Sequence, residues 1–307
     1  MLLDGVFEGG GVRGIAHVGA VESVELRGYR WNRLAGTSAG AVIAALLACE
    51  YSGSEIKDII DSVDYTQFMK KNWLDSIPLI GKGINLLIHE GLYDNHYQET
   101  WLEDLLIQKG YRYFSDLKEG QLKIIVSDIT NGRMTILPDD LHIYGETHDF
   151  PIAKAVRMSS TIPFFFYPIK WKTKKFKHPS YMVDGGLLSN FPIWIFDTPD
   201  EPKWPTFGFH FVRDKMKSSP MNRIGPIRMY RSMFKTMMQA HDFRYFDDDA
   251  YARTVKIHTG TITSTDFQLT EDEKQWLYQA GFQAAEKFLN TWSFKEYKRR
   301  FRSNKRE

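Results

Sequence analysis

Three short stretches hold residues whose types and spacing suit them for chemistry. The first is Gly36-Thr37-Ser38-Ala39-Gly40, a serine with glycines two places before and two after. A serine on a sharp strand-to-helix turn needs small residues at those places, because the chain folds tightly on itself there. It then stands at a helix N-terminus, where the helix dipole favours developing negative charge. The flanking residues supply that context, an apolar strand before and an apolar helix after. From these residues alone Ser38 has two roles open to it: a nucleophile, or the cap of the following helix with the glycines present for packing.

The second stretch is Gly9-Gly10-Gly11-Val12-Arg13-Gly14. Consecutive glycines present backbone N–H groups without side-chain obstruction, next to a helix N-terminus, and so can hold an anion. Acyl transfer makes such an anion, the oxyanion of the tetrahedral intermediate. Arg13 adds a fixed positive charge or braces the loop. Gly9-x-Gly11-x-x-Gly14 also fits a dinucleotide-binding spacing, but that use wants an acidic residue roughly 20 positions on to hold a ribose. Leu34-Ala35-Gly36 stands there instead and leads into the serine turn.

A serine nucleophile needs a base. None of the nine histidines lies in a glycine-framed turn. His17 reads as a packing or capping residue, and His210 alternates with aromatics as a strand residue would. The better candidate is Asp184 in the third stretch, Asp184-Gly185-Gly186, where it ends an apolar strand and the glycines allow close approach of another segment. Burial there would raise its proton affinity towards that of a useful base. Its plain alternative is an Asp-Gly turn.

The elements that must carry these residues follow from the hydrophobic pattern. Strand, glycine loop, helix, strand, serine turn and buried helix succeed one another over the first fifty residues, an alternation that predicts an α/β fold with a parallel sheet. Residues 54–110 read as mostly helical. Strands are expected in "QLKIIVSDITNG", "RMTILP", "YMVDGG" and "TFGFHFV", and a helix in "FPIAKAVRMSS". Residues 215–290 read as largely helical, with Thr270 capping the helix that opens "TEDEKQWLYQ". No repeat or flexible linker divides the chain, so one domain is expected over 1–307, with 215–307 a mainly helical part packed on it.

The 307 residues are 43% hydrophobic, ample for a core, and a net charge of +2 demands no nucleic-acid partner. The basic stretch from Lys295 to Glu307, with seven Lys or Arg against two Glu, reads as a solvated helix end. A single Cys49 in an apolar run rules out an intrachain disulfide and any multi-cysteine metal site. The N-terminus reaches Asp4 and Glu8 without a basic region or long apolar core, so no signal peptide is expected. Ala39–Cys49 falls far short of the ~20 apolar residues that cross a bilayer. A cytoplasmic location follows, or a peripheral one on the inner membrane face.

Glycine loop, serine turn and Asp-Gly-Gly, in that order, resemble the patatin-like phospholipase family. So do "EGLYDNHYQETWLEDLL" (90–106), "AVRMSSTIPFFF" (155–166), "GGLLSNFP" (185–192) and 265–289, so the resemblance covers most of the chain. It implies a three-layer α/β/α fold around a central, mostly parallel sheet, and hydrolysis of fatty-acyl esters of phospholipids or related lipids by a Ser–Asp dyad. It implies Ser38 as nucleophile and Asp184 as base. Gly9, Gly10, Gly11 and Arg13 would form the oxyanion site, with no metal or cofactor, and Gly36, Gly40, Gly185 and Gly186 would complete the motifs. A low-turnover lipid-binding regulator is the alternative, and a nucleotide-binding Rossmann-like protein a weaker one.

Two stretches bear on how a lipid would arrive. Phe164, Phe165, Phe166 and Trp171 stand beside Lys172, Lys174 and Lys175, a mixture suited to anionic headgroups. The same residues fit a strand pair with core aromatics and an exposed lysine hairpin. Ile77–Ile88 fits either a lid over an acyl tunnel or an ordinary buried helix.

Overall fold

The computed structural model describes residues 1–63, 67, 92–173, 175–212 and 247–302. Residues 77–88, Lys174 and much of the helical stretch expected after 215 lie outside them. Eight strands form one sheet: β1 (Leu2–Phe7), β2 (Arg30–Thr37), β3 (Leu122–Asp128), β4 (Arg133–Leu137), β5 (Ile169–Trp171), β6 (Ser180–Asp184), β7 (Thr206–Val212) and β8 (Thr254–His258). The order is β5-β6-β3-β2-β1-β7-β8, with β4 paired to β3 off this path. Strands β3, β2, β1, β7 and β8 run parallel, while β4 and β6 are antiparallel to β3, and β5 to β6. The expected central, mostly parallel sheet flanked by helices is therefore present.

Alternation along the strands sends side chains to opposite faces. Leu3, Phe7, Leu34, Phe207, Phe209 and Phe211 join the larger core, while Val6 and Ala35 pack on the other face against Phe191, Ile193, Phe196 and Ala250. Over the larger core lie α1 (Gly14–Leu26), α2 (Ala39–Ala48), α3 (Gly53–Ser62), α4 (His96–Gln108) and α5 (Ile152–Ser159). Helix α2 is apolar on nearly all sides and buried on nearly all of them, as its sequence demands. The remaining helices are α6 (Asp248–Ala252), α7 (Glu271–Thr291) and α8 (Phe294–Phe301). Helix α7 packs along α1 and opens on Thr270, whose hydroxyl takes the Glu273 N–H at 3.2 Å while Glu273 returns a bond to the Thr270 N–H at 2.8 Å. The helical pattern after 215 does not anticipate β8, a five-residue strand paired along the edge of β7. Cys49 is buried, as its apolar neighbours suggest, and burial pushes its thiol up to about 12.

The aromatic stretch resolves residue by residue. Trp171 is 2% exposed and stacks on Tyr144 at 4.4 Å between centroids, and Phe166 is 4% exposed, so both belong to the core and not to a lipid-facing surface. Residues on β5 alternate, so Lys170 points outward where Trp171 points in. Phe165 is half-buried against Tyr93 and Phe267. Phe164 is the most exposed aromatic of this group, at 39%, and Lys172 and Lys175 are exposed as well. No helix among the described residues is long and apolar enough to cross a membrane.

Candidate active site

Strand β2 delivers Ser38 at its end, and the backbone there turns to φ 53, ψ −123 before α2 begins at Ala39. That conformation is strained for any residue with a side chain and places the hydroxyl at the positive end of the helix. The framing glycines are sterically required. A Cβ on Gly36 would strike the Gly40 carbonyl, and one on Gly40 would strike the Phe7 carbonyl. Ser38 is a turn residue rather than a cap, because its side chain accepts no N–H from the helix it precedes. The Ser38 hydroxyl acts instead on the Asp184 carboxyl, lowering its proton affinity.

Asp184 ends β6 and is 2% exposed. Its Oδ1 accepts the Gly186 N–H at 2.7 Å, the local turn that an Asp-Gly sequence favours. Burial pushes its carboxyl up to about 7, against the Gly186 N–H and the Ser38 hydroxyl, which pull it down. Gly185 is packed so close to β3 that a Cβ would strike the Ile125 carbonyl. Among the described residues Asp184 Oδ1 accepts the Gly186 N–H, and neither Ser38 nor Asp184 makes a side-chain hydrogen bond to a histidine.

The glycine loop lies against the serine turn. A Cβ on Gly9 would come within 3.1 Å of Ser38 Cβ, and one on Gly14 within 3.1 Å of Ala39 Cβ. Gly10 faces the Phe211 ring, and Gly11, at φ +55, faces the Ser264 carbonyl. Gly9 donates to the Asn190 carbonyl at 3.1 Å and Val12 to the Ser264 carbonyl at 3.3 Å. Among the described residues the N–H groups of Gly10 and Gly11 have no acceptor. Arg13 is 4% exposed; its Nε donates to the Gly10 carbonyl at 3.2 Å and its guanidinium lies 4.8 Å over the Phe211 ring. It braces the loop.

Serine turn, glycine loop and buried aspartate thus share one end of the sheet, in the chain order of the three motifs. The family model for patatin-like phospholipase matches residues 5–197. This chain belongs to the patatin-like phospholipase family. An uncharacterised protein of Bacillus subtilis, YqhO, is 41% identical over 296 residues, covering 96% of this chain and 100% of that one. A probable lipid hydrolase of invertebrate iridescent virus 6, 463L, is 26% identical over 193 residues, covering 62% of this chain and 61% of that one. The crystal structure of VipD from Legionella pneumophila shares the fold at a TM-score of 0.58 and 16% identity, covering 94% of this chain and 66% of that one.

Around the three motifs of this patatin-like chain lies a set of polar residues that belongs to none of them. Glu8, immediately before the glycines, is 6% exposed. Its carboxylate takes the Asn190 side chain at 2.8 Å and the Phe211 N–H at 2.5 Å, and His210 Nδ1 lies 2.9 Å away. Burial raises its proton affinity, yet His210, Arg13 and the Phe211 N–H together outweigh burial, so Glu8 titrates below the usual range. His17, as expected of a packing residue, is fully buried, stacked on Phe211 at 4.2 Å and bonded through Nε2 to the Glu8 carbonyl at 2.9 Å. Burial lowers its pKa to about 4, so it is neutral at pH 7. An acidic residue directly after an apolar strand was the available signal for Glu8. Asn190 and His210 had none, since their shared partner is far away in sequence.

Proposed function

We propose that this chain is a serine-dependent lipid ester hydrolase that uses Ser38 and Asp184 without a histidine. The Ser38 Oγ attacks the acyl carbonyl carbon, and its proton passes to the Asp184 carboxylate. The carbonyl oxygen becomes an oxyanion facing the N–H groups of Gly10 and Gly11, at the N-terminal end of α1. When the intermediate collapses, the ester C–O bond breaks and Asp184 returns the proton to the departing alcohol. Water, deprotonated by Asp184, then attacks the acyl-serine, the bond from Ser38 Oγ to the acyl carbon breaks, and Asp184 returns the proton to Ser38 as the fatty acid leaves.

The observation that carries this reading is a serine on a strained turn whose hydroxyl acts on a buried carboxyl that burial pushes up to about 7. A carboxylate at the usual value of 3.8 would be a much weaker base. Membership of a family described as phospholipases and similarity to a probable lipid hydrolase support a lipid ester as substrate. Phe164, with exposed Lys170, Lys172 and Lys175, is the part of the aromatic stretch suited to meeting a lipid surface.

The test is labelling with a fluorophosphonate probe, followed by mass spectrometry of the labelled peptide and profiling of products from mixed lipid vesicles. Label on Ser38 and release of free fatty acid are expected, with both lost in Ser38→Ala. A folded Ser38→Ala protein that keeps most of its hydrolysis would remove Ser38 as nucleophile. Lipid binding with no turnover in the native chain would favour the regulatory alternative.

A further inference from the structure

The end of α5 touches both halves of the proposed active pair. Ser159 Oγ accepts the backbone N–H of Ser38 at 2.8 Å and donates to the Ile125 carbonyl at 2.6 Å. Two residues on, the Thr161 carbonyl accepts the backbone N–H of Asp184 at 2.8 Å. Ser159 and Thr161 are both fully buried.

Each bond answers a local need. The N–H of Ser38 sits in a turn of positive φ, after β2 has ended and before α2 can use it, and a buried N–H must find an acceptor. A hydroxyl can accept there only if its own proton is directed elsewhere, and the Ile125 carbonyl takes that proton. The oxygen's lone pairs are thereby aimed at Ser38. Thr161 is secured in turn, its Oγ1 donating to the Arg157 carbonyl at 2.7 Å and accepting from Asn95 Nδ2 at 3.0 Å. Asn95 is 1% exposed and its Oδ1 takes the Arg157 Nε at 2.9 Å, so the bracket is tied to the start of α4.

We infer that Ser159 and Thr161 are positioning residues, a two-point bracket that sets the Ser38 turn and the Asp184 strand end at a fixed separation. The inference rests on the roles assigned to Ser38 and Asp184 above. Neither bracket residue touches substrate. Ser159 holds the main chain of the nucleophile, and Thr161 holds the main chain of the base. Reactive groups displaced by about 1 Å lose on the order of 10²-fold in rate, which is the leverage such a bracket has.

The test replaces Ser159 by Ala, and by the isosteric pair Thr and Val, which differ at that position by the acceptor oxygen. Wild-type and variant proteins are titrated with fluorophosphonate to count reactive serines, and kcat and KM are measured on a soluble chromogenic ester. Expected for Ser159→Ala is full labelling at long times, a labelling rate and a kcat per labelled site both reduced about 10- to 100-fold, and KM within about twofold. Ser159→Thr should exceed Ser159→Val by at least tenfold in kcat per labelled site, a comparison that still decides the matter if the alanine variant does not fold. Equal kcat per labelled site across wild type, Ala, Thr and Val, with only the number of labelled sites falling, would overturn the bracket and leave Ser159 as a stability residue. Absence of label on Ser38 in the wild type would instead sink the hydrolase reading itself.

Discussion

Thr37 and Asp184 end their strands against adjacent residues of one neighbour: Thr37 pairs with Ile125 and Asp184 with Val126. Strand β4 occupies the other edge of β3 over 124–128, so β2 and the oppositely directed β6 share a single edge and meet end to end. Ser38 is the next residue after Thr37. A parallel and an antiparallel strand colliding on β3 therefore bring the hydroxyl to the carboxyl, across 146 residues of sequence.

Activity should rise with pH. Asp184 takes a proton only as the carboxylate, so kcat/KM is expected to climb through an apparent pKa of about 7 and level off above it. Asp184→Asn should abolish most of the hydrolysis, at least about 10³-fold, while no single His→Ala change approaches that loss. A histidine as costly as Asp184 would mean a triad.

Stability at the same residue runs the other way. The folded-state pKa of Asp184 is raised from 3.8, so the folded chain holds a proton that the unfolded chain has released. Its favourable contribution is complete below 3.8 and lost as pH rises through about 7. Asp184→Asn is expected to melt several degrees above wild type at pH 8, with the gap closing by pH 4. Thermal melts across that range check it, and a variant less stable than wild type at pH 8 would contradict the burial cost.

The glycine loop separates two kinds of anion. The atoms nearest a side chain on Gly10 belong to the Phe211 ring, whereas a side chain on Gly11 meets main chain at a positive φ, so Gly10 is the cleaner probe. If the loop holds an oxyanion, Gly10→Ala keeps the N–H but displaces it, and should lower kcat by about 10²-fold with a much smaller change in KM. Tight nucleotide binding by the wild type, lost in Gly10→Ala while ester hydrolysis is unaltered, would show that the loop holds a phosphate.

Glu8 should act as the loop's anchor. Because its pKa is lowered from 4.5, its contribution is present above that value and lost as pH falls through the lower folded value. Glu8→Gln presents an amide to partners that donate, and should cost about 2–3 kcal/mol at pH 7, as losing hydrogen bonds to a buried charged acceptor does. The difference between the two proteins should narrow at pH 4 and below in calorimetric scans. Equal stability at pH 7 would show that Asn190, His210 and the Phe211 N–H do not depend on the charge.

Trp171 and Phe164 should part company in assays. Trp171→Ala is expected to cost about 3–5 kcal/mol in unfolding, as a large buried aromatic does, with no specific effect on lipid binding. Phe164→Ala should leave stability within about 0.5 kcal/mol and reduce sedimentation with anionic vesicles. Undiminished vesicle binding by Phe164→Ala would place any lipid contact elsewhere.

The residues that do local work were readable one after another. Gly36, Ser38 and Gly40 announce a tight turn because the tightness is a property of five consecutive residues, and Gly9–Gly11 announce an open run of N–H groups for the same reason. Strand and helix alternation over the first fifty residues follows from side-chain period alone. What the chain order does not carry is which strand lies beside which. That Asp184 reaches Ser38 depends on β6 entering antiparallel beside β3, and that Glu8 is held by Asn190 and His210 depends on β7 pairing with β1. The burial of Trp171 was likewise decided when β5 joined the sheet, since an aromatic beside lysines satisfies either a core or a lipid surface until a neighbour covers it. Ser159 and Thr161 belong with these. A hydroxyl and a carbonyl at the end of a helix are ordinary in sequence and acquire their partners only when β2, β3 and β6 converge above them.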